Sequence, residues 1–409
     1  MSVLPVQSGQ SKQSNQVFLS AISPLVGFQR LLGQLNVSTE SGRAAWAGRL
    51  WRAYAVLLHA TLLVSVIAHT IPYLSVLSEL SQKRGPFKAF VQTEGYGLGT
   101  LLRVTAVFLN AGVTGRKVRD VLSQLQSVSG AIVVESATFA ARLRRFRRRS
   151  VGLLALLSLL AAAEAVLDLL RRGTGCPAVL GVRHCGWHLL LAPGRFIMSV
   201  SYIMVSGQLL LISLLCAAGL RCVHEQLRQL HPEQPQLAER LRQLRAQHQR
   251  LVDAHRQLLS AGGAAVTCVM AAALLTAITS TCLLGWGVTY TVTSGRGQPL
   301  LRVAPPALQA LAAVTVLLAP AEAGQQLLQP LGDAQRRLLR LETRPAGPAD
   351  RQRRRYLAEL ERDLATAGDL GLFRLHRPLA LAVLNIVYTS YMIMSQFQQA
   401  QETACPTSA

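Results

Sequence analysis

Charge is scarce in this chain, and acidic charge is scarcer. Only 15% of the 409 residues are charged, with 20 Asp and Glu set against 42 Lys and Arg. A soluble protein of this length carries more charge and spreads it over two or three domains. The chain also lacks a Gly-rich phosphate loop, a His-Glu-x-x-His pair and cysteines at zinc spacing. No enzyme, cofactor or metal centre is therefore expected. The opening "MSVLPVQSGQSKQSNQVFLS" has no short apolar core ending in a cleavage site, so no signal peptide is expected and the first spanning helix does the targeting. Basic residues are not interleaved with aromatics as a module, which sets nucleic acid aside as a partner despite the net charge of +22. No internal repeat or inverted pseudo-symmetry is visible, which counts against a secondary transporter.

What is present is hydrophobicity, in blocks. Half of the residues are hydrophobic, and the uncharged windows are 53–78, 104–115, 196–220, 257–295, 303–321 and 378–401. Window 151–170 is interrupted only by Glu164 and Asp168. A spanning helix needs about 20 mostly apolar residues, and all but 104–115 reach that. The stretch "VQTEGYGLGTLLRVTAVFLNAGV" (91–113) is apolar apart from Glu94 and Arg103, and charge asymmetry decides whether it spans. If it does, 1–52, 114–150, 221–261 and 323–377 lie on one side with 32 Lys and Arg, against nine on the other. Cytoplasmic loops collect Lys and Arg. If it does not, "RLRRFRRRS" (142–150) and "RQRRR" (351–355) fall on opposite sides and the asymmetry collapses.

The expectation is an all-α integral membrane protein of seven spanning helices, multi-pass in the plasma membrane, with its N-terminus cytoplasmic and its C-terminus extracellular. The helices fall at roughly 53–76, 90–113, 151–170, 196–220, 262–287, 303–322 and 378–398. Residues 1–52 form a cytoplasmic N-terminal segment, and 53–322 hold the first six spans with helical cytoplasmic extensions at 114–150 and 221–261. Residues 323–377 are cytoplasmic anchor helices, 378–398 the last span and 399–409 a short extracellular tail. The basic inner loops then attract anionic inner-leaflet lipids. The sequon Asn36-Val37-Ser38 falls on the inner side.

Within 237–260, Leu237, Leu241, Leu244, His248, Leu251, His255 and Leu258 recur at alternating spacings of four and three. This is a heptad seam on an inner helix. It fits either docking within the chain or a seam between subunits. His248 and His255 lie seven residues apart, too far along a straight helix to chelate one metal. After the break "RPAGPAD" (344–350), residues 351–368 place Tyr356, Leu360, Leu364 and Ala367 on one face of a second inner helix. Cys216, Cys222, Cys268 and Cys282 lie in or near spans as packed thiols. Cys176 and Cys185 share an outer loop where a disulfide is permitted, leaving Cys405 unpaired.

Ionisable groups inside spans are candidates for function. Glu164 and Asp168 are four apart, hence on one face, and suit an outward-facing ligand cavity, a partnership with Arg103, or simple snorkelling of Asp168 to the interface. The last span poses a sharper question. Asn385, Thr389, Met392, Gln396 and Gln399 fall within an arc of about 80°. Unpaired amides in hydrocarbon are costly, so this stripe meets either neighbouring helices or a water-filled path.

The stretch "GLFRLHRPLALAVLNIVYTSYMIMSQF" (371–397) resembles the C-terminal signature of arthropod gustatory receptors, relatives of insect odorant receptors. Thr389, Gln396 and Phe397 match that signature at its spacing; Ser390 stands where the family usually has Tyr. The resemblance implies a tetrameric ligand-gated nonselective cation channel, homomeric or built with sister subunits, whose last helix lines a central pore. It implies that Gln396 and Phe397 lie at or beside the constriction with Thr389 supporting them. It further implies a tastant pocket among the second to sixth helices and inner helices that anchor the subunits. Two other readings stay open. A G-protein-coupled receptor requires an external N-terminus, and "NIVY" (385–388) lacks the proline of the comparable signature; a solute transporter predicts flux without gated current.

Overall fold

The computed structural model describes residues 7–34, 49–64, 66–67, 86–135, 137–172, 178–179, 182–183, 187–234, 236–294, 299–341, 343, 345, 347–370 and 374–404. Helices α1 (Gln7–Leu31), α2 (49–64) and α3 (Pro86–Leu109) open the chain. A five-residue π-helical turn, Asn110–Thr114, carries α3 directly into α4 (Gly115–Glu135). Then come α5 (Ala137–Arg172), α6 (Trp187–Arg228), α7 (Leu237–Ser294), α8 (Pro299–Arg340), α9 (Pro348–Thr366) and α10 (Arg377–Ala404). Between α5 and α6, Ala178–Val179 and Val182–Arg183 pair as a minimal antiparallel hairpin.

The expected spans are the apolar parts of longer helices. "RLRRFRRRS" continues without a break into the 151–170 segment as α5, because Arg and Leu are both strong helix formers and outweigh the single Gly152 at the junction. Residues 237–260 likewise run on into 262–287, through Gly262 and Gly263, as one 58-residue helix, α7. Among the described residues, Gly97–Ser129, Phe196–Arg228, Leu237–Gly285, Val303–Arg340 and Arg377–Gln396 contain stretches long and apolar enough to cross a membrane.

Burial ranks these helices. In α6, 89% of the membrane-length window is buried, against 11% in α10. Ser201 to Val205 are buried without interruption, as expected of a helix that is apolar all round and sits at the centre of a bundle. Helix α6 packs against α3, α5, α7 and α8; α7 adds contacts to α4, α9 and α10.

Helix α1 is part of the bundle rather than an appendage to it. Phe18, Ile22, Leu25, Gln29 and Leu32 repeat at spacings of four and three and are all buried, and the helix packs on α4 and α5. It ends at Gly33, whose φ of 66° lets the Gln34 N–H reach back to the Gln29 carbonyl at 2.9 Å. That left-handed cap is available to glycine at little steric cost.

Candidate functional site

Helix α10 is held at its start by a backbone turn. Gly368, at φ 74°, follows α9, and its carbonyl accepts the Leu375 N–H at 2.7 Å. Arg374 spans the turn, donating through Nε to the Ala367 carbonyl at 3.0 Å and through Nη2 to the Leu364 carbonyl. The turn lies against Gly324 of α8, where a Cβ would stand 2.0 Å from the Leu375 carbonyl oxygen. Only a bare backbone fits there. Arg377, the first residue of α10, has its Nε 3.3 Å from Glu322 Oε2 on α8.

Beyond the turn, α10 rests on α7 and α8 along a narrow strip. Val383 and Val387 are buried. The Tyr391 ring lies where a Cβ on Gly285 would come within 2.9 Å, and Cys282 Sγ donates to Met394 Sδ at 2.9 Å. At 100° per residue, Asn385, Thr389, Met392 and Gln396 are centred roughly 180° from the Val383–Val387–Met394 strip. All four are exposed, as are Leu381, Tyr388 and Ile393 beside them. The stripe therefore faces away from the protomer's own bundle. The backbones of Phe397 and Gln399 continue α10; their side chains lie outside the described residues.

The N-terminal half of α7 is tied to α9 by polar contacts. His248 Nε2 is 3.0 Å from Asp363 Oδ2, and Arg256 Nη2 donates to Asp363 Oδ1 at 2.6 Å. Burial pushes the Asp363 carboxyl pKa up, but the His248 hydrogen bond and the Arg256 charge outweigh it and hold the group below its ordinary range. Arg245 pairs with Glu359 at 2.6 Å, and the Tyr356 ring meets His248 edge-on at 5.3 Å between centroids. Leu237, Leu241, Leu244, His248, Leu251, His255 and Leu258 are all buried within the single chain. Their seam is an internal packing surface that docks α9 and its neighbours onto α7. His255 meets Ser213 of α6 at 3.0 Å. His248 and His255 thus go to different partners. Among the described residues, no group of His, Cys, Asp and Glu is placed to hold a metal ion.

Arg103 reaches into the bundle from α3. Its Nη2 donates to Thr276 Oγ1 of α7 at 2.7 Å, and the guanidinium lies 4.9 Å from the centre of the Tyr202 ring on α6. Glu164 and Asp168 lie on α5, with their side chains outside the described residues. Cys176, Cys185 and Cys405 also lie outside them. Cys216, Cys222 and Cys282 are buried thiols, and Cys268 is partly so.

One buried cluster escapes the sequence reading. Gln29 from α1, Gln34 just past its glycine cap, Asn110 from the π-helical turn and Gln208 from α6 are each at most 3% exposed. Gln29 Nε2 donates to Gln208 Oε1 at 2.5 Å, and Asn110 Nδ2 lies 3.2 Å from Gln34 Oε1 and 3.3 Å from Gln208 Oε1. Gln34 Nε2 donates to the Ser201 carbonyl at 3.0 Å. The cluster joins three elements that only the fold brings together. The available signal was the four-three spacing of Phe18, Ile22, Leu25, Gln29 and Leu32, which marks α1 as a packed helix.

Fold and site together define a polytopic helical membrane protein whose last helix is mounted at one end and, among the described residues, unpartnered along a polar face. A sequence profile described as 7tm chemosensory receptor matches residues 22–401, and the chain belongs to that family. This is a receptor family, not an enzyme family, and its members are multi-pass membrane proteins. The fold is similar to the insect olfactory receptor OR5 from Machilis hrabei, with a TM-score of 0.65 at 11% identity over 92% of this chain and 97% of that one. The same receptor in complex with eugenol matches with a TM-score of 0.56 at 10% identity, over 94% and 98% of the two chains. Comparison with curated protein sequences finds no match.

Proposed function

We propose that this chemosensory receptor is a gustatory-type ligand-gated nonselective cation channel. Four subunits, identical or mixed with other gustatory receptor subunits, surround a pore lined by α10. The observation that carries this reading is the placement of Asn385, Thr389, Met392 and Gln396 opposite the strip that seats α10 on its own bundle. Exposed amides and hydroxyls on a membrane-crossing helix need water or polar partners, and copying the stripe around an axis supplies both. Gln396 and Phe397 would form the constriction, Thr389 would support that turn of α10, and Asn385 and Gln399 would extend the polar lining to either side. A ring of amides beside an aromatic collar gates by wetting and dewetting. The charge asymmetry supports a cytoplasmic N-terminus and an extracellular C-terminus.

A small-molecule tastant would enter from the extracellular side among the second to sixth helices. Arg103, held between Tyr202 and Thr276, and the carboxylates Glu164 and Asp168 are the candidate contacts. The eugenol complex of OR5 supports a small organic occupant. A ligand opens the pore only by binding the open state more tightly than the closed one.

Whole-cell recording during a ligand panel, with Gln396→Ala beside the wild type, tests the proposal. The expected result is a ligand-gated cation current whose permeability ratios change in the variant while surface expression does not. Currents of unchanged selectivity and conductance in Gln396→Ala would remove that residue from the pore. An N-terminal tag stained on intact cells would point to the G-protein-coupled class instead.

A further inference from the structure

Between α5, α6 and α8 lies an apolar crevice of about 220 Å³, walled by Leu153, Leu157, Ile203, Leu210 and Val316 and closed at one end by Glu322. Its flanks carry the exposed Leu156 and Leu159 of α5 and Leu311 and Leu318 of α8. In a multi-pass protein these flanks face hydrocarbon, so the crevice opens into the bilayer. The volume is below the ~300–1,000 Å³ of pockets that enclose compact drug-sized ligands. An apolar wall open on one side suits a chain laid along it.

The end marked by Glu322 is strongly positive. One turn before Leu153, α5 exposes Arg144, Arg145, Arg147, Arg148 and Arg149. Arg221 of α6 is half-buried there, with Nη2 donating to the neutral Gln326 of α8. Burial, and then the guanidinium charges of Arg142 and Arg149, pull the Arg221 pKa down. Arg142 already has Glu225 as its partner. Arg149 and Arg221 therefore form a crowded cationic site beside an apolar groove.

We propose that this crevice binds an anionic phospholipid of the positively flanked leaflet, with one acyl chain along the α5–α6–α8 wall and the headgroup phosphate between Arg149 and Arg221. The opposite charges offset each other at the membrane surface, where guanidinium–phosphate bonds are bidentate and strong. The site is linked to α10 by hydrogen bonds. Arg221 donates to Gln326, Gln326 Nε2 donates to Glu322 Oε1 at 2.6 Å, and Glu322 pairs with Arg377 at the start of α10. Only the naming of the leaflet rests on the orientation proposed above; the site itself does not depend on channel activity.

The test is native mass spectrometry of the full-length protein purified in neutral detergent, titrated with phosphatidylserine or with phosphatidylcholine of the same acyl chains. Phosphatidylserine is expected to be retained preferentially. R149Q, on an exposed position that leaves packing intact, should weaken that retention about fivefold, and R149Q/R221Q about thirtyfold, without changing phosphatidylcholine retention. Ala319→Phe, or the milder Ala319→Leu, fills the crevice and should lower retention of both lipids. R351Q/R355Q, on α9, should change neither. Equal retention of the two lipids by wild type, unchanged phosphatidylserine retention in R149Q, or an equal loss in R351Q/R355Q would overturn the proposal. The readout is lipid mass, so a failure here is separable from a failure to record current.

Discussion

Asp363→Asn is the sharpest probe of how α9 is fixed to α7. The carboxylate is 3% exposed and serves His248, which is 1% exposed, and Arg256, whose side chain is 36% exposed. Leaving a buried hydrogen-bond partner unsatisfied costs about 1–3 kcal/mol, and breaking a buried ion pair such as Arg256–Asp363 about 3–5 kcal/mol. Water reaches Arg256, which screens its share, and Arg256 keeps Thr366 at 2.8 Å and Asp253 at 3.6 Å. Asn also preserves shape and one acceptor oxygen. The expected loss is therefore about 2–3 kcal/mol, most of it from the buried contact with His248. Chemical denaturation in mixed micelles, followed by tryptophan fluorescence, measures it. His248→Leu supplies the second corner of a cycle, and the double variant should cost about 1–2 kcal/mol less than the sum of the singles. Strict additivity, or an Asp363→Asn within ~0.5 kcal/mol of wild type, would show that the pair does not hold the helices together.

Gly324→Ala should prevent correct assembly, since its Cβ meets the Leu375 carbonyl at 2.0 Å and backbone cannot swing aside as a side chain can; overpacking of this kind costs about 1–3 kcal/mol or more. Surface biotinylation should show loss of mature protein, and wild-type levels would contradict the close approach. Tyr356→Phe should be neutral or stabilising, because the Tyr356 hydroxyl is buried with no hydrogen-bond partner among the described residues and an unsatisfied buried group costs about 1–3 kcal/mol; a clear loss of denaturation midpoint would reveal a partner. His255 is buried, and burial followed by the Arg256 charge lowers its pKa to about 4 from 6.5. The unfolded chain then binds the extra proton first, so stability is complete above pH 6.5 and falls by about 3 kcal/mol as pH drops toward 4. His255→Gln should flatten that slope in denaturation series, whereas the Asp363 contribution disappears only below its ordinary range near 3.8.

Much of this architecture could be read from hydrophobic periodicity. The seam from Leu237 to Leu258 and the polar stripe from Asn385 to Gln396 are single-helix patterns, and one helix is what a short window of sequence reports. The seam left two readings open, packing within the chain or between chains, and the structure buries its seven residues inside one protomer. Contacts between distant segments were not legible. Nothing near Gln34 announces Asn110 or Gln208, which lie 76 and 174 residues further on, and nothing near Gly324 announces Leu375. Their meeting is set by how α1, α6, α8 and the turn before α10 pack, and a pairing of that kind has no local period to betray it. Helix continuity beyond the apolar windows is, by contrast, a local property. The charge clusters that mark where apolar segments stop are made of residues that favour helix, so α5 and α7 run straight through them.

Helix α7 has one further consequence. At 1.5 Å per residue its 58 residues make a rod about 87 Å long, nearly three times the ~30 Å hydrocarbon layer. It touches α10 at Gly285 near one extremity and α9 at His248 near the other. A rigid beam of that length transmits a tilt as a lever does: a few degrees at the Gly285 end displace the His248 end by several ångströms. Movement on one side of the lipid can in this way be felt on the other without any step of unfolding between them.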